Sequence, residues 1–435
     1  MENVFSSFWN RNKIIFKSFL IGFLILLLLI PTVFIQNLIS ERQVRQKEAI
    51  SEVNSKWAGQ QTINGPAIVV PYMETETNDQ GKPTSVKKLA YFLPDKLSIH
   101  SIISPEKRYR GIYKVVVYST DLEISGSFDS LRFADLNISS DKILWNEAAI
   151  FFDISDVRGL KEEVNMHINQ NELNLVPGKF SNELFKNSLS AAIPPEVFNN
   201  HGALDFSASV KLKGSENLLF VPVGKQTDVT IQSSWNAPSF VGNYLPDVRN
   251  VGDSGFTANW KVLYLNRNYP QQWKDKIYEL KDFSFGVNLI IPVDSYQQTT
   301  RSVKYAILCI LLTFTAFFLI ELIYSKTIHS LQYVLVGIAL CIFYTLLLSF
   351  SEYISFNLSY LIASIATILL ISWYVRSILH SSRMAIFIAG LLAGMYGFIF
   401  TLIQLEDYAL LIGSIGLFVM LAIVMYFSRK IKWTS

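Results

Sequence analysis

From Ser18 to Ile35 the chain reads SFLIGFLILLLLIPTVFI without a single charge. After a long, mainly polar interval come YAILCILLTFTAFFLIELIY (305–324), LQYVLVGIALCIFYTLLLSF (331–350) and LSYLIASIATILLISWYV (358–375). MAIFIAGLLAGMYGFIFTLI (384–403) and YALLIGSIGLFVMLAIVMYF (408–427) close the series. Each run approaches or reaches the roughly 20 residues that carry a helix across about 30 Å of hydrocarbon. Backbone amides cannot stay unpaired in lipid, so the pattern predicts six transmembrane helices.

The interval between the first two runs has a different period. QNLISERQVRQKEAISEVNSKWAG is charged, lightly apolar and free of Gly and Pro until Gly59, which predicts a helical stalk continuing out of the first span. Beyond it, β-branched and aromatic residues alternate at 65–72, 87–94, 112–128, 203–214, 228–235, 255–265 and 283–293. Pro94-Asp95, Pro177-Gly178 and Asn199-Asn200-His201-Gly202 supply turns, and METETNDQGKP (73–83) reads as a polar hairpin tip. PPEVFNN and QQWKDKIYEL suggest short helices. The spacing predicts an antiparallel β-sandwich or stacked sheet. The fold class is therefore an α+β membrane protein: a signal anchor, a five-helix C-terminal bundle, and a large β-rich domain inserted between helices 1 and 2.

Charge sets the orientation. Arg11, Lys13 and Lys17, then Lys326, then Arg376 and Arg383, then Arg429, Lys430 and Lys432 all fall on one face of a six-span chain. The alternate short loops hold Glu352, Glu406 and Asp407 and no Lys or Arg. Positive-inside bias then predicts a cytoplasmic N-terminus at 1–17, an anchor at 18–36, a periplasmic domain at 37–303, a bundle at 304–428 and a cytoplasmic tail at 429–435. Pro31 and the residues after it offer no small-x-small cleavage site, so the anchor is expected to stay uncleaved. The two cysteines, Cys309 and Cys341, lie inside spans, so the exported domain must fold without disulfides. Charged residues make up 17% of the 435, and the net charge of +3 gives no broad electrostatic case for nucleic acid.

Candidate chemistry is thin. Gly252-Asp253-Ser254-Gly255 has the look of a serine-nucleophile loop, but His100, His167 and His201 sit in no catalytic context and Phe256 stands where an oxyanion hole needs glycine. A β-turn into the strand at 255–265 is the expectation. Glu74, Glu76 and Asp79 lack calcium-loop spacing, and no zinc, phosphate-loop or dinucleotide motif occurs, so no metal and no cofactor is expected. Asp153 and Asp156 beside Arg158 read as a capping and pairing group. Within the spans Glu321 is the one acid. It either snorkels to the interface near Lys326 and His329 or takes part in a proton relay. Gly390 and Gly394 form a small-xxx-small pair whose default use is close helix packing.

SWNAPSFVGNYLP (234–246) carries no titratable side chain and reads as a surface loop of about a dozen residues. Trp235, Phe240 and Tyr244 are either core plugs beneath the sheet or part of a stiff contact surface. For the second case the contact set is Trp235, Pro238, Phe240, Tyr244, Leu245 and Pro246.

Three stretches together, RGIYKVVVYSTDLEISGSF (110–128), SSWNAPSFVGNYLP with SGFTANW (233–260), and 301–352, resemble the CreD family of inner-membrane proteins. The resemblance implies a Gram-negative cytoplasmic-membrane protein linked to envelope integrity and colicin tolerance, induced by a two-component system under envelope stress. It implies no catalytic residue set. The resulting expectation is a non-enzymatic protein whose β-rich domain meets a periplasmic protein or envelope component. The alternatives are a small-molecule or lipid transporter built on the bundle, with Glu321 taking part, and a membrane sensor acting through a partner.

Overall fold

The computed structural model describes residues 2–77, 82–178, 184–185, 188–198, 202–291, 295–324, 327–405 and 408–429, with side chains from Ile15 onward. The hairpin tip with Asp79, the turn at 199–201 with His201, and Lys326, Glu406 and Asp407 lie outside these residues. The chain divides into two compact units, one formed by 1–47 with 293–435 and the other by 48–292.

Helix α1 runs unbroken from Glu2 to Trp57. Pro31 lies within it; a proline there removes one ladder bond, and the Thr32 hydroxyl turns back to the Leu29 carbonyl at 2.7 Å. The first unit continues with α2 (Ser295–Lys304), which the sequence pattern did not announce, and α3 (Ala306–Tyr324). Then come α4 (Ser330–Ser351), α5 (Phe356–Leu379), α6 (Ser382–Gln404) and α7 (Ala409–Ser428). Among the described residues, α1 and α3 to α7 are the six helices long and apolar enough to span a membrane, as the hydrophobic runs predict. The bundle core is aromatic: Phe343 packs on Tyr344, Tyr360 and Tyr396 at centroid distances of 4.8, 5.4 and 4.5 Å.

The small residue that brings two helices close is Gly337, not the pair singled out from the sequence. A Cβ on Gly337 would meet Leu28 of α1 at 2.1 Å, whereas one on Gly390 or Gly394 would meet nothing within 4 Å. The glycine pair faces open space because α6 and α7 splay apart there. Nearer the other end of α6 the two helices touch, where Gly416 abuts the Phe398 ring.

The second unit begins with the end of α1. Trp57 lies between Arg108 and Lys213, at 4.9 and 4.5 Å from its ring, and Glu52 takes a forked pair of bonds from Arg110. Its strands are β1 (Gln61–Thr77), β2 (Pro83–Phe92), β3 (Lys96–Arg110), β4 (Tyr113–Phe128) and β5 (Ala149–Ile154). β6 (Val164–Ile168), β7 (Asn171–Pro177), β8 (Ser188–Ala192), β9 (Leu204–Ser215) and β10 (Asn217–Phe220) follow. The last six are β11 (Gln226–Ser233), β12 (Pro238–Gly242), β13 (Val248–Gly252), β14 (Gly255–Leu263), β15 (Gln272–Lys274) and β16 (Phe285–Leu289).

Hydrogen bonding links them in the order β12-β16-β10-β1-β5-β8-β7-β6-β9-β4-β3-β11-β14-β13, with β2 on β1 and β15 on β2. Among the described residues every pairing of these strands is antiparallel except β1 with β10 and β3 with β11. β9 shows the half-buried period of two, turning Leu204, Phe206, Ala208, Val210 and Leu212 inward. β1 is buried on both faces from Ile63 to Tyr72, and β2, β5 and β10 pair along its edges. Both ends of this path, β12 and β13, come from one stretch of chain. The reading of 236–246 as an irregular loop is corrected there: residues 238–242 form a strand paired with β16.

Candidate functional site

The segment from Ser233 to Gly255 passes from the inside of the sheet to its rim. Trp235 is 7% exposed; its indole N–H donates to the carbonyls of Ala237 and Ile290 at 3.1 and 3.0 Å, and Lys107 lies 5.2 Å from the ring. A buried indole needs such a partner, and here it has two. Pro238 opens β12 at the sheet edge, where its missing N–H costs nothing. Phe240 sets its ring edge-on to Phe256 and Trp260 at 5.8 and 5.7 Å. Gly242 ends the strand at φ +96°, and a Cβ there would meet the Ser284 carbonyl oxygen at 2.1 Å, so only glycine fits the bend.

Tyr244 then packs edge-on to Phe285 at 5.7 Å and donates its hydroxyl to the Asn266 carbonyl at 2.8 Å. Its own carbonyl accepts the Trp260 indole N–H at 3.2 Å, and burial raises its phenol above the usual range. Trp235, Phe240 and Tyr244 thus sit inward and pin the segment.

The chain next to them does the opposite. Leu245 is 68% exposed, Val248 63% and Val251 46%, with Pro246 half-buried. Every residue of β13 is exposed. The strand pairs only with β14, through a hairpin in which Gly252 faces Gly255 across the two-residue turn Asp253-Ser254. The expected turn at 252–255 is therefore present. Val251 stands opposite Phe256 on the inner face and Val248 opposite Asn259 on the outer, so both faces of β13 carry uncovered apolar surface. Among the described residues no strand pairs with its outer edge. An unpaired edge presents a row of backbone donors and acceptors to any extended segment that reaches it. The six residues proposed from the sequence are thereby sorted: Leu245 and Pro246 lie on this rim, Trp235, Phe240 and Tyr244 sit inward beside it, and Pro238 opens the other edge strand, β12. Val248 and Val251 were missed, although the short VRNVG run before a Gly-bounded turn is a hairpin signal.

Glu321 meets a cation from the first helix. Its carboxylate forms an ion pair with the Lys17 ammonium of α1, which also donates to the Ile328 carbonyl at 2.8 Å. The Tyr333 hydroxyl donates to the other carboxylate oxygen at 3.3 Å. Towards the other end of α1, Arg42 lies 3.5 Å from Glu352, which also accepts from Tyr296 at 3.2 Å. These groups tie helices together.

In the β unit, Asp156 takes backbone bonds from Gly59 and Arg158 and a forked guanidinium contact from Arg158. The Arg158 contact holds its carboxyl at about 2. Asp153, fully buried, faces Lys281 at 2.9 Å. Capping and pairing account for Asp156, whereas Asp153 has the Lys281 ion pair while neither of its buried oxygens accepts a hydrogen bond. Among the described residues no three His, Cys, Asp or Glu side chains are placed to hold a metal ion.

Comparison with known proteins places this architecture. The sequence pattern of a family described as "Inner membrane protein CreD" matches residues 13–434. The chain is 32% identical over 417 residues to "Inner membrane protein CreD" of Escherichia coli (strain K12), covering 94% of this chain and 91% of that relative.

Proposed function

The chain belongs to the CreD family of inner membrane proteins, and from that premise we propose that it supports the cell envelope without catalysis, by offering edge strand β13 to an envelope partner. It is a multi-pass inner membrane protein with a large β-rich domain between its first two spans. The basic residues at alternate helix ends support an arrangement with both termini in the cytoplasm and the β-rich domain in the periplasm.

The observation that carries the proposal is the rim itself. Val248 and Val251 on a strand with an unpaired edge, and Leu245 just before it, expose apolar side chains, and pinned aromatics hold the segment that leads into that strand. Such an edge recognises an extended polypeptide by strand addition, with the side chains beside it giving selectivity. A stiff site also lowers the ordering cost of binding. Envelope protection and colicin tolerance would follow from that contact.

Photo-crosslinking amino acids at 248 and 251 in intact cells test the proposal. A discrete crosslinked band is expected, lost on Val248→Asp with protein level unchanged. Absence of any band, together with full envelope protection by Val248→Asp/Val251→Asp, would overturn it.

A further inference from the structure

A cavity of about 750 Å³ lies among α3, α6 and α7. Its walls are Leu, Ile, Met and Phe side chains, and its floor is Gly390 and Gly394, over which a Cβ would meet nothing within 4 Å. The wedge arises because α6 and α7 touch where Gly416 abuts Phe398 and diverge towards the start of α6. At the open end stand Arg383, the hydroxyls of Ser381 and Tyr324, and the Phe427 ring.

Three features say what fills it. From Arg383 to Met395 the helix rises roughly 18 Å, close to the ~15 Å of hydrocarbon in one leaflet. Apart from the Thr315 hydroxyl the lining is apolar along that depth, and its charge and remaining hydroxyls are at the mouth, the profile of an amphiphile. Arg383 lies in the first turn of α6, where the helix dipole already presents positive potential, so a cation there is unfavourable unless an anion sits beside it.

We propose that this wedge is a binding site for one anionic glycerophospholipid, with acyl chain over Gly390 and Gly394 and head-group phosphate at Arg383. Basic pockets between spanning helices recognise acidic lipid heads in this way. The inference stands independently of the edge-strand proposal, since it concerns other residues and another ligand.

The test uses the full chain, reconstituted in nanodiscs of phosphatidylglycerol and phosphatidylethanolamine, then extracted, washed and examined by native mass spectrometry. The wild type is expected to retain one phosphatidylglycerol per chain. Arg383→Gln should lower the preference for it roughly fivefold. Gly394→Leu should fill the wedge and abolish retention with thermal unfolding unchanged; Gly390→Leu serves if that variant does not fold. Retention of both lipids in proportion to the nanodisc composition, or unchanged retention by a folded Gly394→Leu or Gly390→Leu, would overturn the proposal.

Discussion

Lys17 on α1 and Glu321 on α3 are ion-paired across 304 positions of sequence. Their side chains are 22% and 12% exposed, so neither charge is well hydrated once its partner is gone. Lys17→Met should therefore lower stability by about 3 kcal/mol, the scale for leaving a desolvated charge unpaired. Lys17→Met/Glu321→Gln should recover most of that loss, because the amide keeps its bond from Tyr333 without a charge. Thermal unfolding in detergent gives the cycle. Glu321→Gln is expected to retain full envelope protection, and its failure with normal protein level would point to a proton path instead.

The Arg42–Glu352 contact lies roughly 37 Å further along the same helix. Contacts so far apart share no neighbour, so Glu352→Gln and Glu321→Gln should add within about 0.5 kcal/mol. A larger coupling would mean that α1 responds as one lever when either end is released.

Gly337 and Gly394 make opposite predictions for one substitution. On Gly337 a side chain runs into Leu28, with Phe314 also within 3.1 Å, so Gly337→Leu should overpack the bundle and cost at least about 1–3 kcal/mol. On Gly394 the same residue enters open space and should be nearly neutral. Detergent melting curves of the two variants compare them directly.

This contrast marks what was legible in the sequence. The spans were, because an apolar run of about twenty residues has few other fates. The strands β4, β9, β11 and β14 were, because a sheet covered on one side imposes a period of two. β3 was not, since Pro105 and the charged EKRYR tail hide a strand whose second half is exposed. β12 was hidden by Pro238 and Gly242, the residues that suit an edge strand and its end. Which glycine packs and which acid meets Lys17 depend on helices distant in sequence, and no local spacing encodes them.

Asp156 gives the β unit a defined acid response. Its folded value of about 2 lies below the ordinary 3.9 of the unfolded chain, so the stabilisation is fully present above about pH 4 and is lost as pH falls towards 2. The shift corresponds to roughly 2 kcal/mol, discounted because Arg158 is largely solvated. Asp156→Asn should be less stable at pH 7 by about 1–2 kcal/mol, keep about half of that gap at pH 3, and converge on the wild type only below about pH 2. A gap as large at pH 2.5 as at pH 7 would assign the effect to hydrogen-bond geometry and not to charge.

Trp235 and Leu245, ten positions apart in one segment, should separate folding from contact. Trp235→Ala removes a buried indole and leaves the carbonyls of Ala237 and Ile290 without their donor, for a loss of about 3–5 kcal/mol. Protein level should fall, and envelope protection with it. Leu245→Asp alters a side chain that is 68% exposed and should change stability by less than about 0.5 kcal/mol. Its effect should appear only in crosslinking from position 248 and in envelope protection, at unchanged abundance. Should Leu245→Asp behave as the wild type in both assays while Trp235→Ala merely depletes the protein, the aromatics would be ordinary core and the rim at 245–251 would carry no partner.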